Sequence, residues 1–314
     1  MPHILKKLCA ELAIPEDTFS SFINDAESRI KHSRLKKKNG SYRKIIIPPW
    51  EFKIIQYWLI LEYLRSIPIN EYATAFHKGA NIIKNATQHV GHNYFLKVDI
   101  KNFFPSISES HFKAALMSYP QSKNIDNLLK AIENEHLLKA IFYRKKCTIG
   151  YPISPYIANI AMKNFDEDIS NTLQLMSKRL GKFSYTRYAD DIVISSERGG
   201  IHNELMKMLK KCLKKYFGEE LIFNPDKTKQ TTLQGGGTLI TGLRLCSDGR
   251  ITLHRKYKDH IRLLFSLYKN NHNLEESEKN SLIGHLNYCK FSDPEFFNKL
   301  MLKYYAEIKK LTEK

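Results

Sequence analysis

Two adjacent carboxylates, Asp190 and Asp191, offer the clearest chemistry in the sequence. They lie between two short runs of β-forming residues, which predicts a hairpin with both acids at its tip. Neighbouring carboxylates repel each other and lose hydration there unless a cation binds them. Asp is also common in solvated turns, so the pair alone leaves both a turn and a metal site open.

A third carboxylate, Asp99, follows the apolar run 95–98. An acid at the inner end of a buried strand needs a partner. If this strand lies beside the Asp190 hairpin in one sheet, the acids converge. Three carboxylates together suit hard cations such as Mg²⁺, and two ions about 4 Å apart can activate a hydroxyl group and stabilise a leaving pyrophosphate. We therefore expect Asp99, Asp190 and Asp191 to be the ligands of a nucleotidyl-transfer centre.

The charge balance predicts a polyanionic partner. Fifty Lys and Arg against 32 Asp and Glu give the 314 residues a net charge of +18, which points to nucleic acid or an anionic membrane surface. No stretch has the roughly 18 apolar residues of a spanning helix, and the first residues are too charged for a signal peptide. The five scattered cysteines lack a CxxC pair, which indicates free thiols in a reducing cytoplasm. We expect a cytoplasmic, nucleic-acid-binding protein with no membrane partner.

Hydrophobic periodicity predicts the elements that position these groups. Two short helices precede a basic hairpin that turns at Asn39-Gly40, and the chain is helical again from about residue 254. Three consecutive glycines at 235–237 indicate a flexible turn, because no helix follows them directly. The other expected elements are helices at 50–66, 109–118, 126–143, 158–175 and 201–216, and strands at 95–100, 221–223 and 239–245.

Four segments carry a resemblance to a known family: LKVDIKNFFPS, GYPISPYIANI, YTRYADDIVIS and FNPDKTK. In this order they resemble the palm motifs of reverse transcriptases, over residues 34–260. NATQH at 85–89 matches the NAxxH pattern of bacterial retron reverse transcriptases. ITGL at 240–243 is similar to their VTG pattern, with Ile in place of Val. The chain therefore resembles a retron reverse transcriptase.

The resemblance implies an α+β right-hand polymerase fold with fingers, a palm of antiparallel sheet and helices, and a helical thumb. The implied divisions are an N-terminal helical segment (1–33), fingers (34–94, with inserted helices at 119–147), palm (95–118 and 148–249) and thumb (250–314). The implied ligands are two Mg²⁺ ions and deoxynucleoside triphosphates. Asp99 and Asp190 would be the principal metal ligands and Asp191 the third carboxylate.

Further roles follow from the same resemblance. Phe104 falls where the family keeps an aromatic ring against the sugar 2′ position, although Phe103 and Phe104 could both be core. Arg43 and Lys44 match the finger residues that hold the incoming triphosphate, and one of them could instead be an exposed strand charge.

Two more segments match with reservations. Lys227 falls where the family often has a lysine that protonates pyrophosphate, with Lys229 as a close alternative. Gly150 and Pro152 keep the family's turn, whereas Ile149 replaces the Gln that usually helps to place the template base.

RNA recognition is expected outside the catalytic centre. The alternative is that Asn85 and His89 only brace the palm strand that begins near Tyr94, and that the thumb tyrosines are helix core. The residues expected to contact a cognate RNA are Asn85, His89, Ile240, Thr241, Gly242, Arg255, Tyr257, Tyr304 and Tyr305.

The resemblance also implies a biological role. Retron enzymes copy a structured non-coding RNA encoded beside them, prime from one of its 2′-hydroxyl groups and leave a hybrid RNA–DNA molecule. They usually act with an effector protein in defence against bacteriophage. One alternative is another small bacterial reverse transcriptase of the abortive-infection or diversity-generating type, against which the intact NATQH segment argues. The other is a non-catalytic RNA-binding protein on a polymerase scaffold, against which the three carboxylates argue.

Overall fold

The computed structural model describes residues 2–36, 40–234, 236–270 and 274–312. None of the helices in these ranges is both long and apolar enough to cross a membrane. The helices are α1 (His3–Glu11), α2 (Phe19–Ser28), α3 (Trp50–Glu62), α4 (Ile82–Thr87), α5 (Phe103–Ser106), α6 (Glu109–Met117), α7 (Lys123–Ala131), α8 (Glu135–Ile141), α9 (Ser154–Ala161), α10 (Lys163–Leu175), α11 (Ser177–Leu180), α12 (His202–Phe217), α13 (Arg255–Asn270), α14 (Glu276–Ser292), α15 (Pro294–Lys303) and α16 (Tyr305–Thr312). The strands are β1 (Lys31–Lys36), β2 (Tyr42–Ile47), β3 (Tyr94–Lys101), β4 (Phe183–Tyr188), β5 (Asp191–Ser196), β6 (Ile222–Phe223), β7 (Lys229–Thr232), β8 (Thr238–Ile240), β9 (Leu243–Leu245) and β10 (Ile251–Leu253).

The predicted basic hairpin is confirmed as β1 and β2, which pair antiparallel with Lys36 opposite Tyr42. Of its predicted turn, Asn39 lies outside the described residues. Gly40 has a φ of +82°, a left-handed conformation that glycine adopts without steric cost. Strand β2 ends at Ile47 and helix α3 begins at Trp50, so only two residues separate the hairpin from this helix.

Strand β3 is at the centre of the main sheet, whose order is β4-β5-β3-β6, with β7 also pairing with β3. Side chains alternate between the two faces of a strand. Leu96, Val98 and Ile100 therefore pack into one hydrophobic core, whereas Phe95 packs with Val193 into another. Both faces of β3 are covered, which explains why its sequence reads as a nearly continuous apolar run.

Two hydrophobic cores thus lie on opposite sides of the sheet. The larger draws its buried side chains from helix α1 through strand β6. The second joins the β8–β10 sheet to the C-terminal helices α13–α16. The β strands and the adjoining helices agree with an α+β fold, and the division into fingers, palm and thumb at the residues given above stays a prediction.

Four predicted elements are interrupted. In the helix expected at 50–66, α3 ends at Glu62 and a separate 3₁₀ turn follows at Leu64–Ser66. The helix expected at 126–143 is two helices, because the Asn134 side chain accepts a hydrogen bond from Leu137 N and starts α8. The helix expected at 158–175 is α9 followed by α10. The strand expected at 239–245 is also wrong, because Thr241 (φ +46°) and Gly242 (φ +85°) turn the chain between β8 and β9.

Candidate active site

The three predicted metal ligands meet at one end of the central sheet. Asp99 on β3 lies directly opposite Asp191 on the antiparallel strand β5. Ile100 N donates a hydrogen bond of 2.9 Å to the carbonyl oxygen of Asp190. The two strands therefore lie side by side in one sheet, which was the condition for the acids to converge, and they bring Asp99, Asp190 and Asp191 together.

A tight turn presents the paired aspartates. Tyr188 ends β4 opposite Asp191, which begins β5, so only Ala189 and Asp190 connect the two strands. Ala189 has a φ of +58°, an uncommon conformation for a residue with a Cβ atom. Such strain persists only where the surroundings hold it in place.

A buried ion pair provides that support. Arg187 and Asp166 are both fully buried, with Arg187 Nη2 2.7 Å from Asp166 Oδ2. Tyr185 donates a further hydrogen bond of 2.6 Å to Asp166, and Arg187 Nη1 donates one of 3.3 Å to the carbonyl oxygen of Ala189. Sequence reasoning missed this pair. Its signal was a charged residue inside each of two apolar elements, YTRY and ANIAMKNFD.

The clustered acids are electrostatically unfavourable as they stand. Withdrawal from water and, after it, the charges of Asp190 and Asp99 raise the pKa of Asp191 to about 6. Burial and the charge of Asp99 also raise the pKa of Asp190. A bound cation would relieve both effects, so the charge distribution fits a cation at this end of the sheet.

Lys227 supplies one positive charge. Its Nζ lies 2.7 Å from Asp99 Oδ2, and this hydrogen bond raises the pKa of Lys227. Lys229, the alternative, lies on β7 opposite Lys97. Burial is the largest cause of the lowered pKa of Lys97, and the charge of Lys229 is the second. The structure therefore brings Lys227 to the carboxylates and places Lys229 beside another cation.

Asn224 is a neighbour that sequence reasoning missed. Its backbone N donates to the carbonyl oxygen of Asp99 at 2.8 Å, and its side-chain nitrogen lies 3.5 Å from Asp99 Oδ1. The Asn224 side chain also accepts a hydrogen bond from Asp226 N and starts the short turn that carries Lys227. An Asn before Pro-Asp is typical of such a turn, and this was the available signal.

The donor set fits a hard divalent cation. Within residues 2–36, 40–234, 236–270 and 274–312, no three carboxylate, imidazole or thiol side chains are gathered closely enough to hold a metal ion as they stand. One oxygen of Asp99 is bound to Lys227 instead. The three acids offer only oxygen donors, which are the ligands that Mg²⁺ prefers, and Asp99, Asp190 and Asp191 are the residues that would hold it.

Arg43 and Lys44 lie on opposite faces of the hairpin, as alternation along β2 requires. Arg43 is close enough to Asp190 to lower the pKa of that carboxyl group, against the larger effect of burial. Lys44 Nζ instead lies 5.9 Å from the ring centroid of Tyr143. The structure therefore brings only Arg43 toward the carboxylates.

Gly150 joins the hairpin to the body of the protein. Ile46 N donates a hydrogen bond of 2.9 Å to the carbonyl oxygen of Ile149. Gly150 has a φ of +113°, and a Cβ atom there would lie 2.1 Å from the carbonyl oxygen of Ile46. Only glycine fits this approach. Pro152 is half-buried and comes just before helix α9.

Phe103 and Phe104 both lie in the short helix α5. Phe103 is buried in the large core. Phe104 is half-buried and packs against Phe103 and Phe76, with ring centroids 5.3 and 6.0 Å away. Phe104 is thus the one of the two that reaches the surface, and its role as a sugar gate stays a prediction.

Asn85 and His89 are completely buried and hydrogen-bonded within the protein. Asn85 Oδ1 accepts a hydrogen bond of 2.7 Å from Thr74, and its Nδ2 donates to Thr241 Oγ1 at 3.3 Å. His89 is hydrogen-bonded to Ser195 and Thr186 at 2.7 and 2.8 Å. These contacts join α4 to the sheet and to the β8–β9 turn, and they favour the bracing alternative over direct RNA contact.

The β8–β9 turn lies beside the aspartates. Ile240 is buried in the second core. Thr241 and Gly242 line a cavity of about 320 Å³ together with Asp99, Asp191 and Lys227. The ITGL segment is therefore adjacent to the candidate catalytic centre.

Of the residues expected to contact RNA from the predicted thumb, some are exposed and others are internal. The Arg255 side chain is 86% exposed. Tyr257 is half-buried and its hydroxyl group is hydrogen-bonded to His285 Nδ1 at 2.8 Å. Tyr304 is buried and stacks on Phe265, whereas Tyr305 is 61% exposed. Arg255 and Tyr305 are available to a partner. Tyr304 belongs to the core, which agrees with the alternative that the thumb tyrosines are helix core.

Comparison with known proteins finds relatives of this chain. Residues 35–277 match the family model described as reverse transcriptase (RNA-dependent DNA polymerase). The chain is 35% identical to the retron Ec73 reverse transcriptase of Escherichia coli, covering 93% of this chain and 92% of that protein. It is 31% identical to the retron Ec83 reverse transcriptase of Escherichia coli, covering 86% and 85%. Telomerase from Candida albicans, solved with a fragment of telomeric RNA, is 12% identical with a TM-score of 0.48, covering 95% of this chain and 60% of that one.

Proposed function

Because this chain belongs to the retron reverse transcriptases and is an RNA-directed DNA polymerase, we propose that it copies one structured non-coding RNA encoded beside its own gene. Synthesis would begin from a 2′-hydroxyl group of that RNA and leave single-stranded DNA joined to it. The partner RNA and its DNA product would remain bound to the protein. The protein would act in the cytoplasm, together with an effector protein, in defence against bacteriophage.

The chemistry we propose rests on the three aspartates. The reverse transcriptase family uses divalent metal ions, and two Mg²⁺ ions held by Asp99, Asp190 and Asp191 would activate the attacking hydroxyl group and stabilise the leaving pyrophosphate. Lys227 would donate a proton to the pyrophosphate. The direct opposition of Asp99 and Asp191 in neighbouring strands is the observation that supports this assignment most strongly.

Substrate selection is assigned to groups around the aspartates. Arg43, whose charge reaches Asp190, would bind the incoming triphosphate. The half-buried ring of Phe104 would exclude a ribose 2′-hydroxyl group. Gly150 would keep the fingers hairpin close to the palm, because its missing side chain lets the Ile46 carbonyl group approach.

Recognition of the cognate RNA needs more than charge. The net charge of +18 attracts any RNA, and this attraction weakens steeply with added salt. Selecting one RNA requires short-range hydrogen bonds, stacking and shape recognition. We assign this role to exposed thumb groups such as Arg255 and Tyr305, and to the β8–β9 turn at Thr241 and Gly242 next to the catalytic centre.

Sequencing the nucleic acid that co-purifies with the protein tests the proposal. We expect one structured RNA joined to a DNA copy of part of it, and the RNA alone with Asp190→Asn. A mixture of unrelated RNAs without joined DNA would contradict a dedicated template. Arg255→Gln should reduce extension on the cognate RNA more than on a generic primed template. Lys214→Gln, which removes an exposed cation from α12, should affect extension on the two templates equally.

A further inference from the structure

Exposed polar groups gather on the face of the fingers hairpin opposite the one that carries Arg43. Residues directly opposite each other in an antiparallel pair share a face, and Arg34 pairs with Lys44, and Lys36 with Tyr42. Arg43 lies on the other face. We call the side chains of His32, Arg34, Lys36, Tyr42 and Lys44 the outer face of the hairpin.

The outer face borders a cavity of about 460 Å³, a size typical of ligand sites. Its far wall is the tight turn at Tyr143 and Arg144. The Arg144 guanidinium carbon lies 5.3 Å from the ring centroid of Tyr143, and Lys44 Nζ lies 5.9 Å from the same centroid. The cavity is lined by His32, Ser33, Arg34, Tyr42, Lys44, Tyr143 and Arg144.

Three cations, Arg34, Lys44 and Arg144, line this cavity. Within the part of the chain that the structure describes, Arg34, Lys44 and Arg144 form no ion pair with a carboxylate. Arg34 and Lys44 are direct cross-strand neighbours, and like charges in that relation destabilise a hairpin. The adjacent Lys145 does have a partner, because its Nζ lies 3.5 Å from Glu109. An anion at the outer face would relieve the repulsion.

The aromatic ring beside these cations indicates what kind of anion. Tyr42 is 60% exposed, and it lines the same cavity as Arg34, Lys44 and Arg144. Exposed rings beside cations hold unpaired nucleic acid, since bases stack on the ring while phosphates contact the cations. We propose that the outer face binds an unpaired RNA segment. One base of the segment would stack on Tyr42, and phosphates of the segment would contact Arg34 and Arg144.

This inference goes beyond the proposed function, because it needs an unpaired RNA strand and neither a particular cognate RNA nor a 2′-hydroxyl primer. It also differs from a triphosphate site. Arg43 lies on one face of the hairpin, and the outer-face cations lie on the opposite face of the same strands. A substitution on the outer face should therefore change the affinity for RNA without changing the KM for deoxynucleoside triphosphate.

Fluorescence anisotropy with the full-length protein tests the site. The probes are an unstructured RNA of about 12 nucleotides, within the usual site size for single strands, and a blunt RNA hairpin without unpaired ends. Tyr42→Ala should weaken binding of the unstructured RNA about ten-fold and binding of the hairpin far less. Tyr42→Phe should keep the affinity, because it keeps the ring.

The charge contribution has its own measurement. The double variant Arg34→Gln/Arg144→Gln should reduce the slope of log affinity against log salt for the unstructured RNA by about 1.4, which is about 0.7 for each lost phosphate contact. Lys145→Gln removes a neighbouring cation that does not line the cavity and is the matched control. Its slope should stay near that of the parent protein.

Three results would overturn the proposal. The first is an equal loss of affinity for the two probes in Tyr42→Ala. The second concerns the slope of log affinity against log salt. If Lys145→Gln reduces this slope as much per removed charge as the double variant does, general charge explains the binding. The third is a rise in the KM for deoxynucleoside triphosphate in Arg34→Gln. All the substituted side chains are exposed or at the surface, and thermal unfolding establishes that each variant is folded.

Discussion

Lys227 donates a hydrogen bond to Asp99, with the ammonium nitrogen 2.7 Å from Oδ2. The contact raises the pKa of Lys227, so the lysine stays charged at neutral pH. It partly neutralises a group of acids in which the pKa of Asp191 is already raised to about 6. One side chain therefore balances the carboxylates, and it is the same side chain that we propose as the proton donor to the leaving pyrophosphate.

Lys227→Met should lower kcat by about 100-fold or more, which is the usual contribution of a positioned general acid. The KM for the RNA template should change little. Lys229→Met removes a cation two residues away that does not contact Asp99, and we expect it to keep most of the activity. Steady-state extension on one primed RNA compares the two. Equal losses would assign the effect to general charge and not to the Asp99 contact.

Asp190→Asn should reduce primer extension at least about 100-fold, because it removes a charge that stabilises the cations of nucleotidyl transfer. The variant should unfold at a temperature no lower than that of the parent protein, since one of the mutually repelling carboxylates is gone. Asp226→Asn changes an exposed acid at the same cavity and serves as the control. A folded Asp190→Asn protein that extends primers at the parent rate would exclude the proposed ligand.

Phe104→Ala should reduce the preference for deoxynucleotides over ribonucleotides by about ten-fold or more, because the ring no longer blocks a 2′-hydroxyl group. Phe104→Leu should give an intermediate value. The measurement is the ratio of the two incorporation efficiencies for each protein. If the ratio does not move, Phe104 only packs against Phe103 and Phe76, and the gate lies elsewhere.

Gly150→Ala should lower the free energy of unfolding by about 2 kcal/mol or more, since the new Cβ atom meets the Ile46 carbonyl oxygen and the backbone has a positive φ. Gly284→Ala is the matched control. Gly284 lies in α14 with no atom near its added Cβ, so the change should raise stability by about 0.5 to 1 kcal/mol. Urea unfolding measures both. Similar effects at the two sites would contradict the close approach.

His89 should make the protein less stable in mild acid. Burial, followed by the charge of His92, lowers the pKa of His89 to about 3, so the folded state keeps it neutral while the unfolded chain takes up a proton below about pH 6.5. The unfolded state then binds more protons, and stability falls as pH falls from about 6.5 toward 3, by up to about 1.4 kcal/mol per pH unit.

His89→Gln should flatten this part of the pH profile while lowering stability at pH 7, because Gln titrates nowhere in the range but fits the Ser195 and Thr186 contacts less well. Urea midpoints at pH 7.5, 6 and 5 give the slope. His77→Gln, an exposed histidine, is the control and should leave the slope unchanged. A parent profile that is flat between pH 6.5 and 5 would argue against a buried neutral His89.

Much of the candidate catalytic centre could be predicted from the sequence because its signals are local. The acids at 99, 190 and 191 follow or interrupt apolar runs, and period-two alternation and turn chemistry are set by near neighbours in the chain. The order of the four motifs then indicated the family. The basic hairpin, the two N-terminal helices and the helical C-terminal part follow from the same short-range patterns.

Choices between alternatives depended on tertiary structure, because they concern residues far apart in the chain. Lys227 rather than Lys229 meets Asp99 through the pairing of β7 with β3 and the short turn before it. Burial of Asn85 and His89 depends on residues about 100 to 156 positions away. The Arg187–Asp166 pair likewise joins a strand to a helix. Complete removal from water is costly for both charges, and only the assembled core supplies the further hydrogen bonds, from Tyr185 and to Ala189, that help to offset this cost.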